Sequence, residues 1–83
     1  MRVAKAIVLT ADDRTVLRQW ARGRKTPARQ VLRAKIVLAA AQGRENQDIA
    51  AELGCTPRTV GTWRNRFAER GLEGIEKDAP RGG

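Results

Sequence analysis

Residues 46–66 have the sequence NQDIAAELGCTPRTVGTWRNR, in which a glycine separates two apolar patterns of helical period. In the first pattern Leu53 follows Ile49 and Ala50 at steps of four and three, so the three side chains share one face of a short helix. Gly54 ends that helix. Thr56 and Pro57 are typical of a new helix start, because threonine caps the free N–H groups and proline suits the first turn. The stretch predicts two helices joined by a short turn.

Two helices that cross steeply over a short turn need a small residue at the crossing and a turn residue that accepts a positive φ. Ala50 and Gly54 meet these needs, and Val60, Trp63 and Phe67 give the second helix a stripe to bury. This spacing resembles the helix-turn-helix of many bacterial DNA-binding proteins. An ordinary helical hairpin, in which Gly54 is only a C-cap, explains the same pattern. It does not account for the formal net charge of +8 that the chain carries.

Two further helices are predicted upstream of residues 46–66. Thr10 begins the first as a cap, with Asp13 near the positive end of the helix dipole, and Gly23 ends it. Thr26 is expected to cap the second, with Pro27 as its first residue, and Gly43 to end it. Their predicted apolar faces are Val16, Leu17, Trp20 and Ala21 in the first helix, and Val31, Ala34, Val37, Leu38 and Ala41 in the second.

The predicted fold class is all-α, a four-helix homeodomain-like helix-turn-helix domain over residues 10–76 with its motif at 46–66. Asn46 is expected to cap the third helix over residues 47–53, and the fourth helix to run to about Arg70. Leu72, Gly74 and Ile75 are expected to dock as a last apolar segment on the core. An extended arm over residues 1–9 precedes the domain, and a Gly/Pro-containing linker or tail over residues 77–83 follows it.

Composition restricts the classes of function. The 83 residues suffice for one domain, and 17 Lys+Arg against 9 Asp+Glu give a formal net charge of +8. Such a field attracts polyanions, which makes double-stranded DNA the first candidate partner and an anionic membrane surface the second.

A single cysteine, Cys55, and no histidine argue against an internal disulfide and a zinc finger, and no metal or cofactor is expected. No apolar run is long enough for a bilayer, so an intracellular protein with no membrane partner is predicted.

The predicted base-reading surface is the outward face of the last helix of the motif, whose N-terminal part enters the major groove in such motifs. Arg58 can form a forked contact with guanine, Asn65 with adenine, and Thr62 can touch a thymine methyl. The predicted base-reading residues are Arg58, Thr59, Gly61, Thr62 and Asn65. Gly61 has two interpretations: it lets the helix approach the groove closely, or it is merely tolerated.

Phosphate contacts are predicted for polar and basic residues that flank this surface. Near the motif they are Arg44, Gln47, Thr56, Arg64, Arg66 and Arg70, and upstream they are Arg18, Arg29 and Arg33. Arg14, Arg18 and Arg22 recur every four residues, and like charges at that spacing repel, so a purely stabilising role is disfavoured. For each of these residues the alternative is a solvated side chain that does not contact DNA.

Several segments carry a family resemblance. They are RAKIVLAAAQG at 33–43, the segment 46–54 with Thr59-Val60, Trp63-Arg64 and Arg66-Phe67, GLEG at 71–74, VLTADD at 8–13 and DAPR at 78–81. Together they resemble the N-terminal region of bacterial IS630-type transposases, relatives of the Tc1/mariner group. The resemblance covers almost the whole chain, and the Gly71–Gly74 pattern makes it more specific than a general helix-turn-helix match.

The resemblance implies recognition of a transposon's terminal inverted repeats, and with it a cytoplasmic, nucleoid-associated protein of bacteria. In that family a metal-dependent nuclease domain lies well downstream, so no enzymatic activity is expected of this chain, which is expected to be an N-terminal fragment or a truncated copy. Gly61 and Thr62 stand where members of that family often have Arg or Lys. The DNA target sequence of the family therefore cannot be assigned to this chain. Relatives continue through a Pro/Arg/Gly linker that can lie in the minor groove, which makes Arg81 a candidate minor-groove contact.

Other interpretations stay open at this point. A stand-alone transcriptional regulator would bind an operator instead of transposon ends, and a homodimer on DNA is a further alternative. A protein-interaction or dimerisation module would use Leu72 and Ile75 together with the N-terminal arm. It predicts a concentration-dependent dimer with little affinity for DNA. An amphipathic membrane helix is disfavoured, since the apolar stripes are needed for the core.

Overall fold

The computed structural model describes residues 7–23 and 25–76, and all regular structure in these residues is helical. The five helices are α1 (Ala11–Arg22), α2 (Ala28–Ala41), α3 (Asn46–Leu53), α4 (Pro57–Arg70) and α5 (Leu72–Glu76). The all-α prediction is confirmed, but the predicted number of helices is one too few. Of the expected arm, residues 7–9 are without regular structure. The rest of the arm and the tail with Arg81 lie outside the described residues.

α2 is the central helix, since α1, α3, α4 and α5 all pack against it. The largest fully buried side chains come from all five helices, and they are Leu17, Ile36, Val37, Ile49, Val60 and Ile75. The predicted apolar face of α2 is correct for Ala34 and Val37. It missed Ile36 and Ala40, which are buried as well, because α2 is covered on more than one side and a single stripe is too narrow.

Two of the predicted helix caps are confirmed. The backbone N–H of Asp13 donates to Thr10 Oγ1 at 3.0 Å, and the Thr10 N–H donates back to Asp13 Oδ2 at 3.4 Å, which forms a capping box. At the start of α4 the Thr59 N–H donates to Thr56 Oγ1 at 3.1 Å, with Pro57 in the first turn. These helix starts were predictable because each cap is formed within four residues.

Two other predicted caps are wrong. α2 begins after Pro27, whose carbonyl oxygen accepts the first helical hydrogen bonds from Gln30 and Val31, so Thr26 lies one position too early to cap. α3 begins after Glu45, and Asn46 is already helical. The side chain of Asn46 is bonded to α4 instead of its own helix. Neither start has a side-chain cap.

α5 turns the chain back onto α4 and α2 directly after Gly71, whose φ is +67°. Ile75 is fully buried and Leu72 packs against the core, as expected, although the helical conformation was not. A Cβ at Gly74 would overlap the carbonyl oxygen of Arg66 and lie 2.9 Å from its carbonyl carbon. α5 can approach α4 this closely only because position 74 is a glycine. A five-residue helix with an internal glycine has little intrinsic stability, so it depends on this packing.

Candidate nucleic-acid interface

α3 and α4 form the predicted helix-turn-helix. The N–H groups of Gly54 and Cys55 both donate to the Ala50 carbonyl oxygen, at 2.9 and 3.0 Å, and Thr56 completes the turn. Gly54 has a φ of +75°, and a Cβ there would meet no atom within 4 Å. The glycine is therefore needed for its backbone conformation and not for space.

Three predicted base-reading residues share one exposed face of α4. At about 100° per residue, Arg58, Thr62 and Asn65 fall within an arc of about 60°. All three are exposed, whereas Val60 and Phe67 on the other side are buried. The face extends about 10 Å along the axis, which suits a helix in the major groove. The structure thus places three of the five predicted base-reading residues on one exposed face.

The two threonines of the predicted set already make hydrogen bonds inside the motif. Thr62 Oγ1 donates to the Arg58 carbonyl oxygen at 3.1 Å. Thr59 is half-buried, and its Oγ1 lies 3.0 Å from Thr56 Oγ1. Because Thr56 also caps α4, the hydroxyl groups of Thr56 and Thr59 are already engaged in hydrogen bonds at the start of this helix. Of the two predicted readers, Thr62 is the better presented to DNA.

Arg64 does not have the exposure that a phosphate contact needs. Only 4% of the residue is exposed, and Nη1 donates to the Arg44 carbonyl oxygen at 2.9 Å and to Asn46 Oδ1 at 3.0 Å. Burial lowers the pKa of Arg64 from its usual value, since desolvation disfavours the charged form. The sequence prediction for Arg64 is corrected: its guanidinium connects α4 to the beginning of α3.

Arg33 is corrected in the same way. The residue is 8% exposed, its Nη1 donates to the Ile75 carbonyl oxygen at 3.3 Å, and its Cζ lies 3.9 Å from the centroid of the Trp63 ring. These contacts join α2 to α4 and α5. Charged side chains are buried only where such partners compensate for the lost water, and four-residue spacing in a sequence does not reveal such partners.

Arg44 and Arg66, also predicted to contact phosphate, are half-buried. Arg66 Nε donates to the Gly74 carbonyl oxygen at 2.9 Å, and its Cζ lies 5.2 Å from the centroid of the Trp63 ring. Arg44 forms an ion pair with Glu52. Both side chains therefore have contacts within the domain that a phosphate would have to replace or share.

The remaining predicted phosphate contacts are exposed. Near the motif these are Gln47, at the start of α3, Thr56 and Arg70, and upstream they are Arg18 on α1 and Arg29 on α2. α1 packs on α2. Arg14 and Arg22 are exposed together with Arg18, so the three form one basic face on α1.

Gly61 lies nearer to α3 than the prediction placed it. It is half-buried, and a Cβ at this position would lie 3.3 Å from Asn46 Nδ2. The space that this glycine leaves is therefore used inside the domain. Asn46, taken from the sequence as a cap, was missed as the partner of both Gly61 and Arg64.

Glu69 was also missed by the sequence analysis. At helical spacing it falls within the same arc as Arg58, Thr62 and Asn65, one turn further along α4, and it is exposed. The four-residue step from Asn65 was sufficient to find it. A carboxylate there gives the C-terminal end of the face the sign opposite to that of Arg58, so the face is basic only toward the start of α4.

The comparisons with known proteins bear on this motif. Residues 27–75, more than half of the chain, match the family described as a homeodomain-like domain. The chain belongs to the homeodomain-like family. Neither the curated proteins nor the solved structures provide a match.

The homeodomain-like match begins at Pro27 and ends at Ile75, so it takes in α2 to α5 and leaves α1 outside. It supports the predicted helix-turn-helix and DNA as the partner. Among the described residues no group of acidic, cysteine or histidine side chains is arranged to hold a metal ion. No helix in residues 7–23 or 25–76 has the length and apolar character of a membrane span.

Proposed function

We propose that this homeodomain-like chain binds double-stranded DNA sequence-specifically and recognises the terminal inverted repeats of a transposon as the N-terminal part of a transposase. The observation that carries the DNA-reading part is the exposed face of α4 with Arg58, Thr62 and Asn65, which follows the tight turn at Gly54. The transposon target rests on the similarity of the sequence to IS630-type transposases. The proposed function is binding, without a chemical step.

In the proposed complex α4 lies in the major groove with its N-terminal turns nearest the bases. Arg58 forms two parallel hydrogen bonds to guanine O6 and N7, and Asn65 binds adenine. Thr62, whose hydroxyl hydrogen is directed to the Arg58 carbonyl oxygen, meets the thymine methyl group through apolar contact. Each forked contact gives discrimination of about 1–3 kcal/mol against the wrong base.

Phosphate contacts supply the part of the affinity that does not depend on sequence. We assign them to the exposed residues Gln47 and Arg70 near the motif and to Arg18 and Arg29 upstream. Arg33 and Arg64 are left out because they are buried. Bound cations displaced from DNA by the three arginines make the affinity fall as salt rises. We expect the protein to act at DNA in the bacterial nucleoid.

The test is selection of binding sites from a pool of random DNA duplexes near physiological salt, over several rounds with sequencing of the bound fraction. One enriched asymmetric site is the expected result. The same site at both ends of a mobile element would support the transposase assignment. A palindromic site would favour a transcriptional regulator that binds as a dimer.

Two other outcomes would contradict the proposal. Retention of DNA without enrichment would mean that the protein contacts only the backbone. No retention, together with a dimer that forms with rising protein concentration in light scattering, would favour a protein-interaction module. Salt titrations of binding to the enriched site and to a random duplex measure the specific and the non-specific parts of the affinity separately.

A further inference from the structure

The contact between α3 and α4 is held by polar side chains as well as by the apolar core. Arg64 donates from a single nitrogen, Nη1, to the Arg44 carbonyl oxygen at 2.9 Å and to Asn46 Oδ1 at 3.0 Å. Both acceptors belong to the chain at the beginning of α3. Because Arg64 is 4% exposed, these charge-assisted bonds are screened little by water. They connect α4 to the beginning of α3.

Gly61 leaves the space that the Asn46 amide occupies. A Cβ at position 61 would lie 3.3 Å from Asn46 Nδ2, which is tighter than ordinary van der Waals contact. Arg64 holds the oxygen of the same amide. Gly61 and Arg64 are three residues apart, so they share the side of α4 that faces α3. Asn46 is thus fixed between two residues of α4.

We infer that Asn46 and Arg64 are positioning residues for DNA recognition, whose hydrogen bond, beside Gly61, fixes the rotation of the base-reading face of α4 relative to α3. The inference rests on the proposed function. It gives Asn46 and Gly61 a role in specificity without contact to a base, and it explains why position 61 is a glycine.

The reason is geometric. Thr62 and Asn65 are the sequence neighbours of Gly61 and Arg64, so a rotation of α4 moves all four together. A rotation of about 10–20° displaces a side-chain tip at about 5–6 Å from the helix axis by roughly 1–2 Å. A hydrogen bond to a base works over only about 2.7–3.2 Å between heavy atoms, so this displacement breaks it. Phosphate contacts by long side chains tolerate the same displacement.

The experiment compares Asn46→Ala with Asn46→Asp. Alanine removes the acceptor for Arg64, whereas aspartate keeps an oxygen in its place. For each variant the affinity is measured for the selected site and for a random duplex at the same salt, and thermal unfolding checks that it is folded. We expect Asn46→Ala to lower the ratio of the two affinities about tenfold, with the non-specific affinity nearly unchanged. Asn46→Asp keeps the ratio close to that of the parent, even though its negative charge weakens both affinities.

Gly61→Ala tests the contact with Asn46 from the side of α4. Alanine favours the helical conformation more than glycine does, but its Cβ crowds Asn46. In the Asn46→Ala background the crowding is gone, so we expect Gly61→Ala to raise the midpoint of thermal unfolding there by more than in the parent. We also expect Gly61→Ala alone to lower the affinity ratio.

The outcomes separate the two proposals. If the parent selects no site, the proposed function fails and the inference fails with it. If the parent selects a site and Asn46→Ala leaves the ratio unchanged, only the inference is overturned. Equal losses of specific and non-specific affinity in Asn46→Ala would make Asn46 a phosphate contact and would also overturn it.

Discussion

The guanidinium carbon of Arg33 on α2 lies 3.9 Å from the centroid of the Trp63 ring on α4. The same guanidinium donates to the Ile75 carbonyl oxygen on α5, so one side chain joins three helices. Arg66 adds a second guanidinium carbon 5.2 Å from that ring and donates to the neighbouring carbonyl oxygen of Gly74. The short last helix is therefore held by two arginines that approach one indole ring.

Replacing Arg33 by methionine tests this arrangement. Arg33→Met keeps much of the apolar length but removes the bond to Ile75 and the contact of the cation with Trp63. We expect the free energy of unfolding to fall by about 1.5–3 kcal/mol, as for hydrogen bonds of charged groups. Urea unfolding measures this. Arg18→Met, an exposed position on α1 with the same change of charge, should stay within about 0.5 kcal/mol of the parent.

A different result for Arg33→Met would support the sequence prediction that this arginine contacts phosphate. Unchanged stability together with a weaker salt dependence of DNA binding would mean that Arg33 contacts phosphate.

Arg58→Ala tests the base-reading face. We expect it to relax the preference at one base position by about 1–3 kcal/mol and to leave the salt dependence nearly unchanged, because a forked contact to guanine is lost. Repeating the site selection with the variant measures this. Lys35→Ala, which removes one exposed positive charge from α2, is the matched control and should leave the preference intact. An equal loss of affinity on every sequence would reassign Arg58 to a phosphate.

Arg18→Ala tests the basic face of α1. If Arg18 contacts a phosphate, the slope of log K against log salt becomes shallower by up to about 0.9, since one fewer counterion is released. Arg18→Lys keeps the charge and should keep the slope. A slope that does not change in Arg18→Ala would show that Arg18 stays solvated in the complex and would remove it from the assigned phosphate contacts.

Gly74→Ala tests the close approach of α5 to α4. Its Cβ meets backbone of Arg66, which cannot move aside as a side chain can, so we expect destabilisation of about 1–3 kcal/mol or more. Gly54→Asn is the comparison: it strains the backbone at a positive φ but meets open space, and asparagine adopts this conformation more readily than most residues, so we expect a smaller loss. Thermal unfolding compares the midpoints of the two variants with that of the parent. Equal midpoints for Gly74→Ala and the parent would mean that α5 can be displaced without loss.

The helix-turn-helix was predictable because its signals are local. The Ala50, Gly54 and Thr56 spacing acts through backbone geometry within one turn, and the Thr10 and Thr56 caps act within four residues. The outward face of Arg58, Thr62 and Asn65 follows from helical period alone. The same reasoning failed for Thr26 and Asn46, because several neighbouring residues can occupy a cap position and only the backbone decides among them.

The burial of Arg33 and Arg64 was not predictable in the same way. Their partners include the carbonyl oxygens of Ile75 and Arg44, and every residue of a chain has a carbonyl group. Nothing in the sequence distinguishes these two oxygens from the others. Gly74 was expected to dock, but its contact with the Arg66 backbone depends on the path of the chain after Gly71.

The interior arginines separate the net charge of the chain at neutral pH from its ability to fold. Exchanging Arg33 and Arg64 for lysines would preserve the formal charge and therefore the net attraction to a polyanion. An ammonium group has no planar surface to lie on Trp63, and its compact, strongly hydrated charge is less suited to burial than a guanidinium. Two proteins with the same net charge at neutral pH would then differ in whether α3, α4 and α5 hold together. In this domain the kind of cation, and not only the number of cations, is part of the architecture.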